Sequence, residues 1–360
     1  MHPRFHTLKV KDIRQETEDV VSIAVEIPQE LKENYSYLPG QYLTFKTAIN
    51  GEEVRRSYSI CTALHEKEWR VAVKKMPYGI FSTFANEVLQ INDEVEVMTP
   101  MGEFTTKFDK NTEKSYVFFA AGSGVTPVMS LIKTILYTAP KSNVTLIYGN
   151  RGFDSVIFRE ELEDIKNNYM DNFSLLHVFS EEKIGNQLQD GLLDKEQVQR
   201  LYDLKLKDEA IDEVFVCGPE PCIFAVRDVF TEARFDKHNV HFELFTSPDQ
   251  DNQKVDKKAS TVPKSKKIDA NVKVIIDDEE ILLRLDSDGD SVLEAAIKAG
   301  ADAPFSCKGG VCCTCKAKVL KGEVKMDKNY ALEDDEVEDG YILTCQSHPI
   351  SEELIVTYDE

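Results

Sequence analysis

The chain has 360 residues, 42% of them apolar, which is too long for one small core and enough to fill two or three. A formal net charge of −21 argues against a nucleic-acid binder, and no apolar run approaches the roughly 20 residues of a membrane-spanning helix. The opening Met1-His2-Pro3-Arg4-Phe5-His6 carries no apolar signal region, so a cytoplasmic protein is expected.

Residues 1–112 read as a β-rich domain. Alternating stretches occur at 7–13, 20–26, 41–46, 54–60, 70–74 and 94–98, with turn residues such as Leu38-Pro39-Gly40 and Asn50-Gly51 between them. Short strands at this spacing predict a closed antiparallel barrel, interrupted by one helix over 81–89. Residues 113–245 change period. Buried-type strands at 116–121, 144–148, 173–179, 214–217 and 240–244 alternate with helices at 128–137, 158–166, 195–202 and 221–233. Such alternation predicts a doubly wound parallel sheet, an α/β domain. Residues 246–268 are polar and lysine-rich and read as a flexible linker. Residues 269–360 form a third, α+β unit. It has a hairpin of 272–276 and 281–285, a helix over 292–299 capped by Ser291 and ended by Gly300, a strand at 317–324 and a last strand at 354–358.

This third unit is strongly acidic. Residues 271–360 hold 21 acidic and 9 basic side chains, a balance of −12, so a quarter of the chain carries over half of the net charge. The pattern suits an electron donor that docks on a basic partner; a face kept charged for solubility is the competing reading. Four of the eight cysteines fall within nine residues, which in a cytosolic chain argues for metal ligation rather than disulfides. Cys307, Cys312 and Cys315 have the spacing C-x4-C-x2-C, with Cys345 as a distant fourth, the plant-type [2Fe–2S] pattern. Gly309 and Gly310 let backbone N–H groups turn toward the sulfurs. A zinc site would use two short pairs instead. Cys313 exceeds the four ligands and is expected to point away as a small buried residue.

Two nucleotide motifs precede the cysteines. Arg56-Ser57-Tyr58-Ser59 lies at the end of a barrel strand: Arg56 can neutralise a pyrophosphate, Tyr58 can stack on a flavin ring, and Ser59 can hydrogen-bond near the atom that receives hydride. Gly79 and Ser82, with Phe81 between them and Lys74 just upstream, open a helix whose N-terminus can bind a second flavin phosphate. Gly122-Ser123-Gly124-Val125-Thr126-Pro127 follows a buried strand and starts a helix, so Gly122 and Gly124 permit close approach of a dinucleotide pyrophosphate. Cys217-Gly218-Pro219 ends a later strand. Asn150-Arg151 ends the second strand of the parallel sheet with no acidic residue there to bond a ribose 2′-hydroxyl, while Arg151 can meet a 2′-phosphate.

Gly309-Gly310-Val311-Cys312, Thr314-Cys315-Lys316, Lys321-Gly322, Asn329-Tyr330 and Gly340-Tyr341, together with the domain order, resemble the reductase subunit of bacterial ring-1,2-phenylacetyl-CoA epoxidase, within the wider group of oxygenase reductases. The resemblance implies a ferredoxin–NADP reductase module joined to a β-grasp ferredoxin domain. It implies FAD at Gly79 and Ser82, Thr126 between flavin and nicotinamide, Cys217 beside the hydride path, and Glu243 and Phe245 approaching the flavin. It favours NADPH over NADH, and it implies electron transfer from NADPH to FAD to [2Fe–2S] to an oxygenase partner. Tyr58, Ser59, Thr126, Cys217 and Glu243 are the candidate catalytic residues. A reductase for a ring, alkane or steroid hydroxylase is the alternative; a cofactor-free interaction protein on the same fold is a third reading, opposed by the intact motifs.

Overall fold

A computed structural model describes residues 3–245 and 268–359, which form two compact units, one of residues 5–245 and one C-terminal. The linker expected at 246–268 lies almost wholly outside the described residues.

The first unit opens with an antiparallel sheet of β1 (Phe5–Thr17), β2 (Val20–Glu26), β3 (Tyr42–Ile49), β4 (Glu52–Ser59), β5 (Trp69–Lys74) and β6 (Glu94–Met98), in the order β4-β3-β6-β1-β2-β5. The edges meet through a bridge from Ile60 to Val71 and a bond from the Cys61 N–H to the Arg70 carbonyl, which closes the expected barrel. β1 runs four residues past its expected end because two bulges, at Val10/Asp12 and Gln15/Thr17, bend it along β2. Asn50 and Gly51, with φ of 55° and 85°, make the tight turn of the β3–β4 hairpin. The core holds Leu8, Val10, Ile23, Phe45, Val71 and Phe81. The helix expected over 81–89 is α1 (Ile80–Glu87).

The same unit continues into a parallel sheet of β7 (Ser115–Ala121), β8 (Asn143–Asn150), β9 (Phe173–Phe179), β10 (Glu213–Gly218) and β11 (Val240–Leu244), ordered β11-β10-β7-β8-β9. Between the strands run α2 (Val125–Thr138), α3 (Arg159–Asn168), α4 (Lys195–Leu201) and α5 (Glu220–Glu232). α2 starts three residues before the expected 128, because Pro127 sits inside the first turn, where its missing N–H costs nothing. Every residue of α2 from Val125 to Leu136 is buried. Buried all round, the helix packs on the sheet and also meets the barrel, where the Ser130 hydroxyl donates to the Thr62 carbonyl at 2.7 Å. Lys133 in turn pairs with Glu66 of the barrel loop at 2.9 Å and with Glu161 of α3 at 2.7 Å.

The second unit has β12 (Asp269–Ile276), β13 (Glu279–Asp286), α6 (Val292–Lys298), β14 (Lys316–Lys321), β15 (Val324–Met326), α7 (Asp334–Glu338), β16 (Tyr341–Leu343), β17 (Ser347–Pro349) and β18 (Glu353–Thr357). Its main sheet is ordered β13-β12-β18-β14-β16, with β18 parallel to β12. Ser291 caps α6, its hydroxyl accepting from the Glu294 N–H at 3.3 Å. The single strand expected over 317–324 is broken. Gly322 turns at φ +90° beside the Glu353 carbonyl, and Val324–Met326 leaves to pair with β17. Sequence reasoning misses α7, β15, β16 and β17; each is five residues or shorter, too little chain for a readable period.

Candidate functional site

The barrel and the α/β half meet at the expected motif residues. Alternation along β4 sends Ser57 and Ser59 to one face and Arg56 and Tyr58 to the other. Ser57 bonds the Thr44 hydroxyl at 2.9 Å. Arg56 donates to the Arg55 carbonyl at 2.8 Å. The Tyr58 ring packs on Phe81 of α1 with centroids 5.4 Å apart, and Phe45 lies 6.2 Å from Tyr58. Burial pushes the Tyr58 phenol up, so it stays neutral. The Ser82 hydroxyl accepts the Met76 N–H at 3.1 Å; a Cβ on Gly79 would fall 2.3 Å from that oxygen, so a side chain there would displace the Ser82 hydroxyl from this bond.

Ser59, buried at the barrel edge, donates to Glu243 Oε2 at 3.1 Å, across 184 residues of sequence. Burial pushes the Glu243 carboxyl up to about 8, so it carries a proton at neutral pH. Glu243 lies beside Cys217 in the β10–β11 register. Burial, then the neighbouring Glu243 carboxyl, hold the Cys217 thiol well above its ordinary range, and Cys217 is therefore no thiolate nucleophile. A Cβ on Gly124 would strike the Cys217 carbonyl oxygen at 2.1 Å, and one on Gly218 would come within 2.9 Å of the Ala121 side chain. Thr126, buried in the first turn of α2 ahead of Pro127, donates to the Ser123 carbonyl at 3.0 Å. Pro219 precedes α5 at its N-cap, and Phe245 is exposed beyond β11. Gly122, at φ +54°, has open space where a side chain would be, room for a pyrophosphate beside the start of α2.

Sequence reasoning misses what surrounds Arg151. Its guanidinium lies 3.5 Å from Asp19, which is also 3.6 Å from Lys74, so one carboxylate of the β1–β2 turn joins two expected cofactor contacts. The Arg151 carbonyl accepts the Glu181 and Glu182 N–H groups at 2.9 and 3.1 Å. No acidic residue ends β8, as expected at Asn150, yet two arrive from the end of β9. Only the parallel β8–β9 register reveals this. A cleft of about 580 Å³ lies between barrel and α2–α3, lined by Arg70, Lys133, Glu16 and Glu161 among others. It contains none of the expected site residues.

In the second unit the four expected thiols form two pairs. Cys307 and Cys312 have sulfurs 3.1 Å apart, and Cys315 and Cys345 shift one another in opposite directions, Cys315 up and Cys345 down, as a second pair of neighbours does. The neighbouring thiol of each pair holds Cys307 and Cys345 below the ordinary thiol range. Hydrogen bonds draw the loop and the remote cysteine together: the Thr344 N–H, next to Cys345, donates to the Cys315 carbonyl at 3.1 Å, and the Gln346 side chain donates to the Lys308 carbonyl, next to Cys307, at 3.0 Å. The Gly309 N–H reaches Cys307 Sγ at 3.3 Å, and the Gly310 N–H faces Cys345. Among the described residues no three His, Cys, Asp or Glu side chains are grouped to hold one metal ion. Two thiol pairs with backbone donors fit a binuclear cluster better than a single-ion cage. Cys313 is buried and donates to the Ala331 carbonyl at 3.4 Å, the role expected of a spare cysteine.

Barrel, parallel sheet and cysteine loop together define a class: reductases that take electrons from NAD(P)H through FAD to a [2Fe–2S] cluster and on to an oxygenase. Family models agree along the chain: residues 7–106 match the oxidoreductase FAD-binding domain, 118–228 the oxidoreductase NAD-binding domain and 274–349 the 2Fe-2S iron-sulfur cluster binding domain. The chain belongs to a family of 1,2-phenylacetyl-CoA epoxidase subunits, sharing 39% identity with the Escherichia coli K12 member over 99% of this chain and 98% of that one. It is 30% identical to the ferredoxin reductase component of 3-ketosteroid-9-alpha-monooxygenase from Rhodococcus rhodochrous, over 98% of this chain and 96% of that one. Phthalate dioxygenase reductase shares the fold at a TM-score of 0.58 and 23% identity, covering 98% of both chains. An intact type IV self-sufficient cytochrome P450 monooxygenase matches at a TM-score of 0.69 and 21% identity, over 98% of this chain and 41% of that one. No helix among the described residues is long and apolar enough to cross a membrane.

Proposed function

We propose that this chain is the NADPH-dependent, cytoplasmic reductase of a di-iron phenylacetyl-CoA epoxidase, and that it divides into residues 1–112 for FAD, 113–245 for NADPH, a linker of 246–268 and 269–360 for the cluster. The 39% identity to an epoxidase component, sustained over the whole length, carries the reading. When bound, the flavin would supply the conversion of one hydride, two electrons from the nicotinamide, into single electrons for the iron–sulfur cluster. The chain's own residues bind and orient. Arg56 offers a guanidinium to the flavin pyrophosphate, while Gly79, Phe81, Ser82 and Lys74 flank its second phosphate and ring. Tyr58, backed by Phe81, excludes water from one face of the isoalloxazine. Gly122, Gly124, Thr126 and Pro127 receive the dinucleotide pyrophosphate; Cys217, Gly218, Pro219 and Phe245 border the nicotinamide. Ser59 and the protonated Glu243 hold a proton at the reaction centre. Cys307 and Cys312 would hold one iron, Cys315 and Cys345 the other.

Arg151 and Asn150 support NADPH: a guanidinium that meets Asp19 at the edge of its reach, 3.5 Å, keeps donors for a 2′-phosphate. The test is anaerobic reduction of the purified chain by NADPH and by NADH, followed by addition of the di-iron epoxidase component. NADPH is expected to give the higher kcat/KM, Arg151→Ala to raise the KM for NADPH alone, and the epoxidase component to reoxidise the cluster. Equal use of both nucleotides defeats the cofactor choice, and no reoxidation defeats the partner. A steroid hydroxylase partner is the second reading, supported by the 30% identity to the 3-ketosteroid monooxygenase component.

A further inference from the structure

We propose that Tyr358 is a positioning residue for the iron–sulfur unit, fastening the Cys315–Cys345 side of the thiol set through Thr344. The Tyr358 hydroxyl lies 2.7 Å from Thr344 Oγ1, which lies 2.9 Å from the Cys315 carbonyl oxygen. A carbonyl only accepts. The Thr344 hydroxyl therefore spends its proton on Cys315, and its oxygen must accept from Tyr358, so the direction of the chain is fixed. The Thr344 N–H reaches the same carbonyl at 3.1 Å. Thr344 is 0%, Cys315 1% and Tyr358 8% exposed, so water does not readily replace a broken link.

Thr344 directly precedes Cys345. One hydroxyl thus joins the backbones of two cysteines thirty positions apart to a ring at the end of β18, the central strand of the sheet. The Cys307 side is held differently, by the Gly309 N–H and by the Gln346 side chain on the Lys308 carbonyl at 3.0 Å. The Tyr358 backbone N–H separately donates to the Ile275 carbonyl at 3.0 Å, so removing the hydroxyl alone leaves the strand anchored. The inference rests on the reading of Cys315 and Cys345 as ligands.

The experiment uses the full chain with its flavin and cluster and compares Tyr358→Phe, Thr344→Val, Thr344→Ser and Cys315→Ser. It reads iron release to a chelator, the paramagnetic resonance spectrum of the reduced cluster, and flavin reduction by NADPH. Tyr358→Phe is expected to release iron about five- to tenfold faster, the factor equivalent to one buried hydrogen bond, and to alter the cluster spectrum. Thr344→Val should do the same or more, Thr344→Ser should behave as the parent, and flavin reduction should be unchanged in all three. Parent-like iron release and spectrum in Tyr358→Phe, even with a lowered thermal midpoint, would overturn the proposal. Cys315→Ser separates the two claims: loss of the cluster there keeps the ligand reading standing, and an intact parental cluster ends both.

Discussion

Glu243 is a residue whose chemistry its place in the sequence does not announce. Along the chain it is one of 64 acidic side chains. In the fold it is half-buried beside Ser59 and Cys217, and desolvation pushes its carboxyl up from 4.5 to about 8. Between those values the folded chain binds a proton that the unfolded chain releases. The stability this group contributes is therefore fully present below pH 4.5 and is lost as pH rises through 8. Glu243→Gln should remove that slope: the gap in thermal midpoint between variant and parent should swing toward the variant from pH 5 to pH 9. Parallel curves would return Glu243 to ordinary solvent. The motif residues could be nominated from the sequence because each motif has a recognisable spacing: four cysteines, two glycines before a helix, a tetrapeptide on a strand. Asp19 and Tyr358 could not, since nothing local marks a turn aspartate 132 positions from Arg151 or a strand-end tyrosine over Thr344.

At the scale of elements, the joint between β7, α2 and β10 depends on bare backbone. Gly124 and Gly122 sit two positions apart in one motif yet face opposite demands. A methyl group at Gly124 would meet the Cys217 carbonyl carbon at 2.4 Å, and at Gly122 it would meet nothing, with only a left-handed φ to strain it. Gly124→Ala should therefore force the end of β10 away from α2, lowering the thermal midpoint and abolishing nicotinamide binding. Gly122→Ala should cost about 1–2 kcal/mol of stability and chiefly weaken the dinucleotide. Thermal scans with titration of each nucleotide distinguish them, and equal losses in the two variants would refute the contrast. Element type was readable wherever burial on both faces gave long apolar runs, as in β7 and β10, or strict alternation, as in β12. Boundaries were not, because bulges, a proline in a first turn and Gly322 act through neighbours outside the window being read.

For the molecule as a whole, the acidic excess is concentrated in the C-terminal unit. The iron–sulfur unit presents exposed Glu333, Asp334, Asp335, Glu338 and Asp339 around α7. Long-range attraction to a basic acceptor is screened over about 8 Å at physiological salt. Raising ionic strength tenfold should slow bimolecular electron delivery by roughly an order of magnitude and leave flavin-to-cluster transfer within the chain nearly unchanged. Stopped-flow at two salt concentrations reads both, and a salt-independent bimolecular rate would make the acidic face a matter of solubility. The order of assembly is set by the placement of β18. This strand fills the middle of its sheet, bonded to β12 on one side and β14 on the other, and it is made of residues 353–357. On the ribosome its flanking partners emerge first and have no centre to close upon. The sheet behind the cysteine loop therefore has no centre until residues 353–357 have been made, so it closes later than the parallel sheet of the nucleotide half, whose last strand ends at residue 244.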